Sequence, residues 1–376
     1  MKIVFTGGGS GGHFYPIIAV AEAVHDIVDK EKILDLELYY YSDAPYNKED
    51  LFENGIRYES ISAGKRRLYS SFQNFIDLFK TGFGVLQALG SLFFLYPDVV
   101  FGKGGYASFP VLLAARILGI PVVIHESDSV PGRVNKWAGR FAQKIAVSYD
   151  EASDYFPKDR VALTGQPIRR DLIERKPEGA TSFLKLDPTI PTILILGGSL
   201  GAEAINNIVI DSLPQLLKNY QVIHQTGIKN FAEVESRAKF MINNPELYES
   251  RYRPFAFLDP LAMKMSAGAS NLVISRAGST IFEIASWGLA SILIPITVSQ
   301  DDHQKKNAFN YARHGAATVI EEGNLSPAIL VGEVNRFFED DIRRRNMAAC
   351  AKAFSTPLAA HKIARLLVDI ALEHIG

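Results

Sequence analysis

The sequence predicts an α/β protein built from two doubly wound parallel sheets, and three observations carry that expectation. A strand running into glycines and then a helix opens the chain, MKIVF-TGGGSGGH-FYPIIAVAEAV, and recurs from Thr192 as TILIL-GGSLGAEAINNIVI. Strand-like and helix-like stretches alternate throughout, the pattern of repeated βα units. Several strand-like runs are continuously apolar, as strands covered on both faces are. Glycines at a strand end permit a sharp turn that brings backbone N–H groups near a ligand. The next helix aims its positive end at the same point, which suits a phosphate. Two such units about half a chain apart are expected to face each other across a cleft.

In order, the first half offers strands at Ile3–Phe5, Leu36–Tyr41, Val99–Phe101, Val122–His125 and Lys144–Val147. The second half offers Thr192–Leu196, Gln221–Gln225, Leu272–Ile274 and Ser291–Pro295. Helical patterns between them include Pro110–Leu118 and Thr280–Ser286. Gly165-Gln166-Pro167 and the polar stretch holding Lys176, Pro177, Gly179 and Pro188 mark a boundary. The expected domains are 1–163 and 164–350, followed by an amphipathic helix in 351–376 with Ile363, Leu366, Leu367 and Ile370 on one side.

A length of 376 residues fits about two domains. Hydrophobic content of 47% and charged content of 22% fit a globular chain with ample core, and a net charge of -1 gives no global pull toward nucleic acid. The lone Cys350 rules out a disulfide framework, and no Cys/His cluster has zinc spacing, so a reducing cytoplasm fits best. Met1–Phe5 is too short for a signal-peptide core. The charge-free stretch Thr81–Pro97 falls short of the ~20 apolar residues of a spanning helix and reads as a buried or interfacial helix.

Gly7-x-Gly9-x-x-Gly12 satisfies the dinucleotide fingerprint, but His13 follows at once and only Asp43 stands near the end of the second strand. A histidine at this turn either caps the helix or serves as a general base with a near-neutral pKa. Phe101-Gly-Lys-Gly-Gly-Tyr-Ala-Ser-Phe-Pro110 is a second glycine cluster at a strand end, explained by a tight turn alone or, beside the first, by an anionic or sugar ligand. Gly278, Ser279 and Thr280 open a helix with N–H groups suited to a diphosphate. Glu283 is placed either to accept from a ribose diol or to complete a capping box with Thr280. The polar loop PITVSQDDHQKKN, 295–307, is solvated or sugar-binding. Lys65, Arg66 and Arg67, with Phe72, Phe75, Phe79 and Phe83, make either a core-facing stripe or a helix docking on anionic lipid.

Together these segments are similar to the MurG family, bacterial N-acetylglucosaminyltransferases that convert lipid I to lipid II in peptidoglycan synthesis. The resemblance lies in TGGGSGGHFYPIIAVA, GKGGYASFPVLLAA, GIPVVIHESDSVPGRVNKWAGRFA, LTGQPIRRDL, LGGSLGAEAIN, ISRAGSTIFEIA and DDHQKKNA, in family order over nearly the whole chain. It implies a GT-B fold, with the C-terminal helix crossing back to the first domain, and UDP-GlcNAc bound mainly by the second. Phe257 and Leu258 would flank the uracil and Glu283 the ribose. Ser199, Gly278, Ser279 and Thr280 would meet the diphosphate, His303 and Gln304 the sugar hydroxyls, and Arg169 would lie near the nucleotide. Gly11, Gly12, His13, Gly104, Gly105, Tyr106 and Asn135 would surround the acceptor, lipid I, and Phe72–Phe94 would face the cytoplasmic side of the membrane. Ser127-Asp128 stands where Gln-Asn is frequent in the family, His303 where glutamine is common, and the Arg276–Glu283 spacing is one residue shorter than usual.

The reaction implied is direct displacement at the GlcNAc anomeric carbon by the MurNAc 4-hydroxyl, with inversion, no metal and no cofactor, and with His13 taking the proton. Other readings are a UDP-GlcNAc 2-epimerase or glycolipid transferase of the same fold, an NAD-dependent oxidoreductase suggested by Gly7–Gly12, and a non-catalytic sugar-nucleotide sensor.

Overall fold

The computed structural model describes residues 1–8, 10–64, 72–198, 201–297 and 302–375, without the side chains of 72–74, 76, 374 and 375. The chain divides into two compact units, Met1–Arg169 with Thr356–Gly376, and Arg170–Ser355. The chain thus crosses between units at 169/170 and again at 355/356, just after the helix Asp341–Phe354.

The first unit holds a seven-stranded sheet of β1 Lys2–Thr6, β2 Glu37–Ser42, β3 Ile56–Ser60, β4 Val99–Gly102, β5 Val122–Glu126, β6 Lys144–Val147 and β7 Val161–Leu163. Its spatial order is β3-β2-β1-β4-β5-β6-β7, all parallel. The second holds β8 Thr192–Leu196, β9 Gln221–Gln225, β10 Tyr252–Phe255, β11 Leu272–Ser275, β12 Ala290–Leu293 and β13 Ala317–Val319, in the order β10-β9-β8-β11-β12-β13, also all parallel. In both sheets the order reverses beside the strand that carries the glycine turn, between β1 and β4 and between β8 and β11. Ligands of open parallel sheets bind at that reversal, outside the carboxyl ends of the strands.

Both sheets are covered on both faces. Ile3 and Phe5 of β1 pack with Phe14, Ile17 and Val24 of the helix Gly11–Glu31, while Val4 points to the opposite core with Leu92, Leu112 and Ala115. In β8, Ile193 and Ile195 join Val209, Leu213 and Val334, while Leu194 joins Leu258, Ile284 and Trp287. The C-terminal helix Ala359–Ile375 lies against Gly11–Glu31 and puts Ile363, Leu367 and Ile370 into the first unit's core.

All nine expected strands form. The four not anticipated, β3, β7, β10 and β13, are the edge strands of the two sheets.

The Phe-rich segment is a helix over Phe72–Leu95, longer than the charge-free stretch suggested. By length and composition alone, Asp77–Leu95 could cross a membrane. Here it packs along the helix Ser108–Leu118, burying Ala88 and Leu92. A side chain on Gly84 would strike the Ser62 carbonyl, so glycine there allows close approach. The outer face leaves Phe75, Phe79, Phe83 and Phe94 exposed, the last 87%. Lys65, Arg66 and Arg67 lie outside the described residues, as does the side chain of Phe72.

Candidate active site

The first unit's site is built from the loops after β1, β4 and β5. The helix Gly11–Glu31 begins after Ser10, which is extended and makes no side-chain cap. Its hydroxyl instead lies 3.0 Å from Nδ1 of His13. The residue that would ordinarily satisfy the helix N-terminus therefore orients the imidazole. His13 is half-buried, yet desolvation and then the Lys103 charge bring its pKa down to about 4, with Asp128 and the Gly8 carbonyl opposing. The imidazole is thus neutral at physiological pH and able to accept a proton.

The second loop nests against the first. Gly104 and Gly105 both have positive φ, 92° and 82°, where side chains are strained. A Cβ on Gly105 would come within 2.8 Å of the Gly8 carbonyl and 3.5 Å of His13 Cε1, and one on Gly104 within 2.8 Å of Asn135 Nδ2. A Cβ on Gly11 would meet the Tyr46 hydroxyl at 2.8 Å. Asn135 is buried, and its amide donates to the His125 carbonyl and to Glu126, both at 2.9 Å. Its Oδ1 is enclosed without a hydrogen-bond partner. Asn135 thus supports the Gly104 turn from beneath. Tyr106 donates to Asp43 at 2.5 Å, and burial with that bond raises the phenol pKa. Asp43 is the acid after β2 that a dinucleotide site would use for ribose; here Tyr106 occupies it, which counts against the oxidoreductase reading.

The sequence-predicted residues Gly11, Gly12, His13, Gly104, Gly105, Tyr106 and Asn135 all belong to this unit. Arg169 belongs to it too, with its guanidinium 3.9 Å from the centre of the Tyr15 ring. Sequence reasoning gave no role to Ser10, Glu126 or Gln166. Only Ser10 had a signal, the i,i+3 spacing to His13 at a helix start.

The second unit's site is assembled from the end of β9 and the segments after β8, β10, β11 and β12. Gln225, at the end of β9, donates to the Gly198 carbonyl at 3.2 Å and accepts from Leu258 N–H at 3.1 Å. It ties the glycine loop to the segment carrying Phe257 and Leu258, and nothing in its sequence context marks it. Phe257 is 43% exposed, whereas Leu258 is 2% exposed and turned into the core. Ser199 lies outside the described residues.

After β11, Arg276 donates to the Ile294 carbonyl and pairs with Glu322, fixing the turn. The helix Thr280–Trp287 follows, with Ser279 at the cap position and no side chain capping it. A capping box between Thr280 and Glu283 is therefore excluded, because Thr280 is already helical. A Cβ on Gly278 would meet nothing within 4 Å, so this turn faces open space. Glu283, one turn in, is half-buried. His303 and Gln304 begin the helix His303–Arg313, where Gln304 accepts from Ile296 N–H at 3.2 Å. Asn307 of the same helix donates to the Ala277 carbonyl at 3.3 Å, holding the helix against the turn after β11.

Residues 3–147 match the glycosyltransferase family 28 N-terminal domain and residues 192–363 its C-terminal domain. A Treponema denticola protein named UDP-N-acetylglucosamine–N-acetylmuramyl-(pentapeptide) pyrophosphoryl-undecaprenol N-acetylglucosamine transferase is 34% identical over 98% of this chain and 96% of its own. A Halothermothrix orenii protein of the same name is 35% identical over 99% of both. The chain belongs to the MurG family. The crystal structure of MurG from Acinetobacter baumannii superposes with a TM-score of 0.72 at 25% identity, covering 98% of this chain and 99% of that one. The UDP-GlcNAc 2-epimerase of Neisseria meningitidis, bound to UDP-GlcNAc, gives 0.68 at 15% identity over 98% and 100%, a likeness of fold alone. Like its MurG relatives, the chain has the GT-B fold of two Rossmann-like parallel-sheet domains and is a glycosyltransferase of cell-wall synthesis.

Proposed function

We propose that the chain transfers GlcNAc from UDP-GlcNAc to the MurNAc 4-hydroxyl of undecaprenyl-pyrophosphoryl-MurNAc-pentapeptide, with inversion and without a metal. The observation that carries the mechanism is His13, neutral and oriented by Ser10 at the reversal point of the first sheet. In one displacement the hydroxyl oxygen bonds to the anomeric carbon as the bond to UDP breaks. The hydroxyl proton passes to His13, and the bonding pair leaves with the UDP β-phosphate. The second unit holds the donor: Gly278, Ser279 and Thr280 offer a helix N-terminus to the diphosphate, where developing charge is stabilised. Ser199 and the Gly197–Gly201 loop join that anion site, and Glu283 takes the ribose hydroxyls. Phe257 packs on the uracil, aided by the Leu258 backbone, while His303 and Gln304 meet the sugar. Arg169 is assigned to nucleotide recognition. Gly11, Gly12, Gly104, Gly105 and Tyr106 receive the acceptor's diphosphate and sugar, with Asn135 bracing the turn.

The exposed Phe75, Phe79, Phe83 and Phe94, with Phe72 and the basic residues Lys65, Arg66 and Arg67, dock the first unit peripherally on the cytoplasmic face of the membrane. Co-sedimentation with anionic vesicles should drop when the three basic residues become glutamine; unchanged binding would remove their part. The deciding experiment for the activity is UDP release from UDP-GlcNAc with a lipid I analogue, with and without chelator. Release that needs no acceptor, or that stops with chelator, overturns the reading.

A further inference from the structure

The end of β9 braces the second glycine turn at both of its ends. Gln225 is buried, and both ends of its amide are engaged: Nε2 donates to the Gly198 carbonyl at 3.2 Å and Oε1 accepts from Leu258 N–H at 3.1 Å. Its own carbonyl accepts from Gly197 N–H at 3.4 Å. The next residue, Thr226, meets the other end of the turn. A Cβ on Gly201 would strike the Thr226 carbonyl and come within 2.5 Å of Asn230 Nδ2. That carbonyl accepts from the Asn206 amide at 2.9 Å and the Asn230 amide at 3.2 Å, while Thr226 N–H donates to the Phe255 carbonyl at 2.9 Å.

These bonds join segments that are far apart in sequence. The Gly197–Gly201 turn follows β8, Phe257 and Leu258 follow β10, and β9 stands between those two strands in the sheet. A glutamine suits the post, because one planar amide carries a donor and an acceptor at a fixed separation. Its two partners are backbone groups, so the placements of Gly198 and Leu258 are set jointly by one rigid unit. Losing either bond would leave a buried polar group unpaired, a larger penalty than the bond's net worth.

We propose that Gln225 is a positioning residue for the donor: its amide couples the anion turn after β8 to the base-flanking segment after β10, so that the second unit receives base and diphosphate as one span. The proposal rests on the reading that Phe257 and Leu258 flank the uracil and that the Gly197–Gly201 turn joins the anion site. Gln225 acts through Gly198 and Leu258 and needs no contact with substrate. A ligand that orders one segment orders the other, and the coupling is reciprocal, from base to turn and from phosphate to base segment. A whole nucleoside diphosphate draws on both segments at once, whereas a fragment must order both while touching one.

The test is hydrogen–deuterium exchange of the full chain with uridine alone and with inorganic pyrophosphate alone, alongside kcat and KM for UDP-GlcNAc. In the unaltered chain uridine should slow exchange in peptides covering 257–258 and also in those covering 197–201, and pyrophosphate should do the reverse. In Gln225→Met each probe should protect only the segment it touches. KM for UDP-GlcNAc should then rise about tenfold or more, while kcat and the acceptor KM stay within about threefold. Gln221→Met is the control for stability alone. Gln221 is also buried, at the opposite end of β9, with its amide on Asp187, Ile190 and Thr192. Its loss should lower the melting temperature and leave cross-protection and KM in place. Cross-protection that survives in Gln225→Met, or an equal rise of KM in Gln221→Met, overturns the proposal. Should Gln225→Met fail to fold, Gln225→Glu keeps an acceptor for Leu258 N–H and loses the donor to Gly198, so it must break the cross-protection; retention overturns the proposal. Uridine that leaves 257–258 itself unprotected would remove the base assignment and the proposal with it, a failure visible in the unaltered chain before any variant is made.

Discussion

The two glycine turns occupy the same place in the same strand order, but their surroundings have opposite electrical character. Around the first lie His13, Lys103, Glu126 and Asp128, a cluster of titratable groups whose charges act on one another. Beneath the second, the described support is neutral. Gln225 bridges Gly198 and Leu258, and His224 sits between Asn206 at 3.0 Å and the Tyr252 hydroxyl at 2.9 Å, burial bringing its pKa to about 3. A repeated frame has therefore been given two chemistries by its side chains, one able to move a proton and one that offers fixed dipoles.

The largest expected difference is catalytic. His13→Ala should lower kcat by roughly 100-fold or more, as loss of a general base does, with UDP-GlcNAc affinity in titration calorimetry nearly unchanged. Near-normal turnover would erase the contrast between the units. The reciprocal variant, Glu283→Gln, should weaken UDP-GlcNAc binding by about 1.5–3 kcal/mol through loss of charge-assisted hydrogen bonds, raising KM far more than it lowers kcat. If kcat falls instead, Glu283 belongs to the chemistry.

Stability should separate the two turns next. Gly105→Ala forces a side chain onto a positive φ and into the Gly8 carbonyl, so thermal unfolding should register a loss of about 1–3 kcal/mol. Gly278→Ala meets open space and should change stability by less than about 0.5 kcal/mol. Equal losses would mean that the second turn is as tightly packed as the first.

The smallest effect is a pH dependence. Burial holds the pKa of His13, His125 and His224 below the unfolded value near 6.5. Each therefore contributes stability that is complete above about pH 6.5 and is lost as pH falls toward the folded pKa, with a slope of up to about 1.4 kcal/mol per pH unit. Glu126, whose carboxyl is raised by burial and by Asp128, acts in the opposite sense above its unfolded value of 4.5, so it offsets part of this loss in the first unit. Between pH 6.5 and 5 the first unit, with two such histidines, should weaken faster than the second. Trp137 reports on the first unit and Trp287 on the second, so urea titrations of Trp137→Phe and Trp287→Phe variants would show parallel slopes if the idea is wrong.

What was legible in the sequence follows burial. Central strands such as β1, β5, β8 and β11 are buried on both faces and read as apolar runs. Edge strands β3, β7, β10 and β13 carry residues like Arg57, Glu59, Arg253 and Thr318 on partly exposed backbones, so no pattern of period or composition announced them. The glycine turns and His13 were visible because strand, glycine and helix start are local signals. Gln225 was not, since it acts on segments that are distant in sequence and adjacent only once the parallel sheet has formed.

The return of the helix Ala359–Ile375 bears on the order in which the molecule can be made. On the ribosome, residues 170–355 emerge before Ile363, Leu367 and Ile370, so the second unit can complete its core while the first still lacks part of its own. Each of those side chains contributes roughly 1.5–3 kcal/mol on burial, and together they rival the whole net stability of a typical domain, about 5–15 kcal/mol. The part of the chain synthesised first is thus finished last, and a nascent chain stopped before residue 359 would present a settled second unit and a first unit with an open core, the state in which a chaperone would meet it.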